Sequence, residues 1–438
     1  MNNTIALISL GCAKNLVNSE QMLYLLSEAG YAIAPDPDGA DAVIINTCGF
    51  IDAAKSEAID TILEMAQLKS EGRLGKIIVT GCLTERYRES VTDELPEIDA
   101  MLGVGNYKDI VETIEKCLAN ESVNRFDDNN APIDEIGRVV TTGPAWAFLR
   151  IAEGCNNFCA FCAIPYIRGR YRSRDTESII EEAKDLAAHG VKELIVIAQD
   201  ITRYGTDIYG KRSLAELCHK LAEIEGIQWI RLHYLYPDQF DDELIDEIAL
   251  NDKIVKYLDI PIQHINNKIL KSMNRRGDGD EIRALFKELR ERIPGLVLRT
   301  SLIAGLPGEG EAEFEELCDF LKEARIERTG VFPFSPEEGT PAAEMEHVDY
   351  EVAQKRADLI LELQAQIMDD FCNAQIGKTL EVLCENYDED YQMYVGRSYA
   401  DSPDIDGLVF FEGEGREGDI VNVLIKEVRD GYLFGEQC

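Results

Sequence analysis

Three cysteines near the middle of the chain, Cys155, Cys159 and Cys162, stand in the run Cys-Asn-Asn-Phe-Cys-Ala-Phe-Cys. Three thiolates on one tight loop can hold three corners of a 4Fe–4S cube and leave the fourth iron open. An open iron binds a substrate instead of only passing electrons. A structural zinc site would want four ligands, usually as Cys or His pairs, and no fourth Cys or His lies close by. The bacterial ferredoxin run, C-x2-C-x2-C-x3-C-P, is a different spacing. A disulfide framework does not suit a long chain in which no secretory signal is read.

A second set of three thiols lies in the first third of the sequence. Ile5 to Leu10 is an apolar run ending in Gly11-Cys12, Ala42 to Ile45 ends in Asn46-Thr47-Cys48, and Lys76 to Val79 ends in Thr80-Gly81-Cys82. Each run suits a short strand buried on both faces. Helical stretches lie between them, at Ser19 to Ala29 and Ala53 to Leu68. The cysteines are 36 and 34 residues apart, about one βαβ unit each. In a parallel sheet consecutive strand ends share an edge, where ligands bind, so Cys12, Cys48 and Cys82 are expected to converge. Buried free Cys is common in cores, but its recurrence at three strand ends argues for a second cluster with an open iron.

To position the first cysteine loop, strands and helices alternate again from Ala147 to about Gln366. Ala147 to Ile151 leads into the Cys155 loop, followed by apolar runs at Glu193 to Ala198, Ile230 to Leu235, Tyr257 to Ile262, Val297 to Ala304 and Gly330 to Phe334. Helical stretches such as Ser178 to Ala188 and Asp280 to Arg292 intervene. Six βα units fit a partial (β/α)6 barrel with its site at the C-terminal strand ends. Polar candidates follow those ends: Gln199-Asp200, His233, Gln263-His264, and Gly305 to Glu309. His233 and His264 can equally be satisfied core histidines, and Gly305 and Gly308 plain turn glycines. Arg168, Arg170, Arg172 and Arg174 form either a solvated loop or a screen for carboxylates. Phe161, inside the cysteine loop, can pack on an adenine ring or fill the loop's own small core.

The expected fold class is α/β in three parts. These are an N-terminal open parallel α/β sheet over 1–118, the partial barrel over 145–373 and a small C-terminal antiparallel β-barrel over 374–438. A polar linker over 119–144 contains Asp127-Asp128-Asn129-Asn130. The last part reads as five short strands, at Thr379 to Leu383, Tyr391 to Arg397, Gly407 to Phe411, Ile420 to Ile425 and Tyr432 to Gly435, separated by Asp/Gly/Pro turns.

The formal net charge is −38 and the apolar fraction 45%, enough to bury ordinary cores. An acidic surface repels phosphate backbones and attracts basic partners. From Lys378 onward there are about 15 acidic against about 5 basic residues. RNA binding by charge is therefore disfavoured, although small β-barrels often bind RNA, and docking of a basic protein is favoured. No apolar run approaches the roughly 18 residues of a membrane span. The N-terminus superficially resembles a lipoprotein site, but its apolar run is short and lacks a basic leader. Twelve Cys without an export signal point to the reducing cytoplasm.

The order of a three-Cys domain, a C-x3-C-x2-C barrel and a small β-barrel tail resembles the radical S-adenosylmethionine (SAM) methylthiotransferases over essentially the whole chain, with the tail similar to a TRAM domain. One branch of that family modifies an adenosine in tRNA. Another modifies an aspartate of a small-subunit ribosomal protein, the twelfth. Leu10 to Asn15 (Leu-Gly-Cys-Ala-Lys-Asn), Arg231 to Pro237 and Tyr257 to His264 resemble the second branch, as does the acidic tail. The resemblance implies two 4Fe–4S clusters and SAM. Cys155, Cys159 and Cys162 would hold the cluster that binds and cleaves SAM to a 5′-deoxyadenosyl radical. That radical would take hydrogen from the aspartate β-carbon. Cys12, Cys48 and Cys82 would hold an auxiliary cluster carrying the sulfur, and a second SAM would give the methyl group. Phe161, Gln199, Gln263 and Gly305 are the candidate SAM contacts. The implied partner is the basic ribosomal protein, alone or within the small subunit; reductant and sulfur donor stay open. Two other readings remain at this point: a tRNA adenosine methylthiotransferase, and a non-enzymatic Fe–S scaffold or electron carrier.

Overall fold

The computed structural model describes residues 3–438. The chain forms two units. The first contains residues 1–141, 152–174 and 335–343; the second contains 142–151, 175–334 and 344–438.

In the first unit six strands, β1 (Thr4–Ser9), β2 (Ala32–Ala34), β3 (Ala42–Thr47), β4 (Lys76–Gly81), β5 (Ala100–Leu102) and β6 (Val123–Arg125), form one sheet in the order β2-β1-β3-β4-β5-β6. Every pairing is parallel. All six residues of β3 are buried, because both faces of the sheet are covered and alternation disappears. Val43, Ile45, Ile77 and Val79 meet Ile62 and Met65 on one face. Ile5, Ile44 and Ile78 meet Met22 and Ile114 on the other. Each such side chain contributes about 1.5–3 kcal/mol on burial, so Ile44→Ala would cost about 2–5 kcal/mol. The stretch expected as a linker supplies β6, whose Val123 pairs with Ala100 at the sheet edge. Its Glu135 and Arg138 form ion pairs with Arg174 and Glu20.

The register decides where the first three thiols go. Ser9 is level with Asn46, Asn46 with Thr80, and Thr47 with Gly81. Three neighbouring strands thus end on one line, and Cys12, Cys48 and Cys82 follow within three residues of each end.

The second unit carries β7 (Trp146–Arg150), β8 (Glu193–Ile197), β9 (Trp229–Leu232), β10 (Ile254–Asp259), β11 (Val297–Ala304) and β12 (Arg328–Pro333). They lie side by side in strict sequence order and all pair in parallel, which is the open half-barrel expected of six βα units. The tail forms a closed barrel of five strands, β13 (Thr379–Asp388), β14 (Met393–Ser398), β15 (Val409–Glu412), β16 (Ile420–Arg429) and β17 (Tyr432–Gln437), in the order β13-β14-β15-β17-β16. It is not antiparallel throughout. β15 and β17 pair in parallel, because the final hairpin returns its second strand beside the third one to close the barrel.

The barrel is anchored to the half-barrel by buried charge. Glu193, the first residue of β8, accepts from Arg231 Nε and Arg397 Nη2 at 2.7 Å each, and all three side chains are at most 1% exposed. Arg328 donates to Asp401 at 2.6 Å, Tyr257 OH to Asp406 at 2.6 Å, and His233 Nε2 lies 3.0 Å from Ser402 Oγ. Charges removed from water must be paired this closely or they destabilise the fold.

Candidate metal centres

Three glycines let the first three thiols approach one another. Gly11 adopts φ +89°, and a Cβ there would come within 2.7 Å of Cys48 Cβ. Gly81 adopts φ +104°, and its Cβ would stand 2.4 Å from the Thr47 carbonyl. Only glycine takes such positive φ without strain. Gly49 abuts the backbone of Cys82 and Leu83.

Asn15 ties the loops together. Its Nδ2 donates to the carbonyls of Leu10 and Thr47 at 2.9 and 3.0 Å, its own carbonyl accepts from Asn46 Nδ2 at 2.8 Å, and its Oδ1 lies 3.8 Å from Cys82 Sγ. Thr47 Oγ1 donates to the Thr80 carbonyl at 2.6 Å. These buried polar groups sit next to the cysteines, and sequence reading missed them. The available signal was Asn15 three residues after Cys12 and Thr47 immediately before Cys48.

Cys12 caps helix Ala13–Glu28, and Cys82 is the first residue of helix Cys82–Glu94. A helix N-terminus favours a thiolate. Burial raises the Cys12 thiol, but the charges of Lys14 and Arg168 and the amides of Asn15 and Lys14 outweigh it, so its pKa lies below the ordinary value. Burial lifts Cys48 despite the amides of Phe50 and Gly49. Burial pushes Cys82 up to about 11, with Cys12 and Cys48 adding repulsion and Arg168 opposing it. Three thiols at one sheet edge, one of them with a lowered pKa, are a donor set that suits a cationic cluster.

The second triad stands on its own loop in the same unit. Cys155 N donates to the Gly169 carbonyl at 3.1 Å, Cys162 N to the Cys159 carbonyl at 3.0 Å, and Asn157 N to Cys155 Sγ at 3.5 Å. A two-residue antiparallel ribbon, Ala152–Glu153 with Arg172–Ser173, closes its base. A Cβ on Gly154 would strike the Arg170 carbonyl at 2.1 Å. Phe158 holds φ +49° with the Arg170 guanidinium 4.4 Å over its ring. The twelve cysteines form no disulfide. Among the described residues no three His, Cys, Asp or Glu converge on a point as ligands of one ion would. Thiolates that bind different irons of a cluster need not meet that tightly, and this donor set fits a cluster better than a lone zinc.

The remaining candidates divide by unit. Phe161 is half-buried in the cysteine loop of the first. Gln199, Gln263 and Gly305 belong to the second. Gln199 follows β8 by two residues. Gln263, at φ +71°, bridges to Leu302, its amide donating to Ser301 at 2.9 Å. At Gly305, φ is +78° and a Cβ would lie 2.3 Å from that of Ala353, so helix packing requires this glycine whatever else approaches it. His264 Nε2 stands 3.2 Å from Glu309 Oε2, and Glu309 pairs with Arg356 at 2.9 Å. His233 thus has a buried partner in Ser402, and His264 Nδ1 accepts from the Asn266 amide at 3.0 Å, while His264 Nε2 and Glu309 Oε2 are buried without a hydrogen bond. The arginine run also divides: Arg168 and Arg174 are buried in ion pairs with Glu153 and Glu135, and Arg170 is exposed.

Three family models match the chain. The Radical SAM superfamily covers residues 149–321, the Uncharacterized protein family UPF0004 residues 4–103, and the TRAM domain residues 376–437. The chain is 47% identical over 438 residues to a ribosomal protein uS12 methylthiotransferase RimO of Clostridium perfringens, covering 99% of this chain and 98% of the relative. It is 47% identical over 435 residues to that of Clostridium botulinum, covering 98% and 97%. Among solved structures it is similar to the radical SAM methyltransferase TsrM of Kitasatospora setae, with TM-score 0.57, 14% identity and 77% of each chain covered. It is also similar to the cobalamin-dependent SAM radical enzyme OxsB, with TM-score 0.51, 14% identity and 82% and 56% covered. At that identity the likeness is one of fold.

Proposed function

The chain belongs to the RimO family of ribosomal protein uS12 methylthiotransferases, and on that premise we propose that it adds a methylthio group to the β-carbon of an aspartate of that ribosomal protein. The observation that carries the reading is the pair of cysteine triads in one unit, Cys12, Cys48 and Cys82 on three adjacent strand ends and Cys155, Cys159 and Cys162 on one braced loop.

Each triad holds one 4Fe–4S cluster in this reading, two in all. Bound there with SAM, these groups supply one-electron cleavage of SAM and delivery of sulfur and a methyl group, chemistry that side chains lack. The chain's own share is to hold and to orient. Gly11, Gly49 and Gly81 let the three loops close up, Asn15 fixes their spacing, and the Asn157 amide steadies the Cys155 sulfur. Phe161, Gln199, Gln263 and Gly305 are the residues we assign to SAM. Apolar packing of Cys82 against Ala163 and Ile167 keeps water from that thiol.

The acidic tail favours a basic protein over an RNA backbone. Tyr387, Tyr391 and Tyr432 are exposed there among carboxylates, suited to the aliphatic and cationic surface of a basic partner. Among the described residues no helix is long and apolar enough to cross a membrane, and we place the reaction in the cytoplasm, where ribosomal subunits and reduced thiols occur together.

The test is an anaerobic reaction of reconstituted protein with SAM, a reductant and sulfide, offered the small ribosomal subunit and, separately, unmodified tRNA, with mass spectrometry on both. One methylthio group on an aspartate of uS12 is the expected result. The same group on a tRNA adenosine, or SAM cleavage with no modified uS12, would overturn the substrate assignment.

A further inference from the structure

Arg168 lies six residues beyond Cys162 in sequence, yet its side chain reaches the other triad. Its Nη2 donates to Asn15 Oδ1, the same oxygen that lies 3.8 Å from Cys82 Sγ, and its Nη1 donates to Glu153 Oε2 at 3.0 Å. It is 3% exposed, and the preceding Ile167 packs on Cys82. A buried guanidinium cannot lose its proton, so it sets a fixed positive charge against three thiols. Glu153, 8% exposed, partly offsets it. Lys14 also faces Cys12.

We propose that Arg168 is a positioning residue whose fixed charge raises the reduction potential of the cluster held by Cys12, Cys48 and Cys82, while its bonds to Asn15 and Glu153 tie that site to the Cys155 loop. The inference rests on the cluster assignment above. Reduction adds one electron to the cluster, neither making nor breaking a bond, and a nearby cation stabilises the more negative product. Glu153 tunes the same potential in the opposite sense.

The test uses the full chain carrying Cys155→Ala, Cys159→Ala and Cys162→Ala, so that only the N-terminal triad is loaded. It is reconstituted with iron and sulfide and titrated anaerobically with dithionite under electron paramagnetic resonance. In that background Arg168→Gln should lower the reduced-to-oxidised ratio at fixed ambient potential by at least about tenfold, ~59 mV for a one-electron couple. Arg168→Lys should restore most of it, and Glu153→Gln should shift the potential upward. A purely structural role would not produce opposite shifts for the two partners. Unchanged potentials in Arg168→Gln and Glu153→Gln, with iron content intact, overturn this inference and leave the cluster assignment standing. If Arg168→Gln fails to fold, Glu153→Gln decides alone. A reference protein that binds no iron overturns the assignment and this inference together.

Discussion

The strand ends of the two parallel sheets gather polar groups with opposite results. In the second unit unlike groups gather around one carboxylate. Glu309 accepts from the Gly305 amide at 3.0 Å and from Arg356 at 2.9 Å, and His264 stands 3.2 Å from its other oxygen, with His264 and Glu309 fully buried. In the first unit the groups are three like donors. Cys48 and Cys82 are pushed up by burial, and Cys12 adds to both shifts. A cluster of opposite charges is architecture that folding finishes by itself. A set of like donors does not satisfy itself and is kept for what binds it.

The sharpest way to break this contrast is to remove donors. Cys159→Ala should abolish SAM cleavage, down to the background without protein, when deoxyadenosine is assayed. Cys12→Ala should retain cleavage and lose methylthiolation. Methylthioaspartate from the Cys12 variant would remove the N-terminal triad from the chemistry.

In the second unit the effects should fall on stability. Glu193→Gln leaves Arg231 and Arg397 buried with their shared carboxylate charge gone, and should cost about 3–5 kcal/mol by chemical denaturation of the barrel's transition. Gly305→Ala forces a Cβ onto Ala353 and should cost about 1–3 kcal/mol by chemical denaturation; a neutral result would deny that packing requires the glycine.

The smallest effect is one of pH. Burial opposes the Glu193 charge, but Arg397 and Arg231 outweigh it and hold its pKa below the ordinary 4.5. Its stabilisation is therefore fully present above 4.5 and is lost as pH falls through the lower folded value. Thermal melts of the wild type should show an acid-dependent loss below pH 4.5 that is smaller in Glu193→Gln. Equal pH slopes would mean that Glu193 is not ionised in the fold.

Much of this was legible in the residues. Strands ending at Ser9, Thr47 and Gly81 follow from apolar runs that lack alternation, and their parallel order follows from the intervening helices. The five tail strands and their barrel follow from turn chemistry, but the parallel pair that closes it does not. The β15–β17 parallel pair depends on which edge the last hairpin meets, a long-range choice that no local pattern encodes. Asn15 and Arg168 were hidden for a similar reason: they are 153 residues apart, and their contact exists only after folding. His233 and His264 were ambiguous because a buried imidazole looks the same in sequence whether Ser402, Glu309 or a ligand completes it.

The most direct test is anaerobic iron and acid-labile sulfide analysis, with Mössbauer spectroscopy, of the wild type and of two triple variants: Cys12, Cys48 and Cys82 to Ala, and Cys155, Cys159 and Cys162 to Ala. Two independent 4Fe–4S sites predict about eight irons in the parent and about four in each variant. About four irons in the parent, all lost with one triad and untouched by loss of the other, would contradict the account.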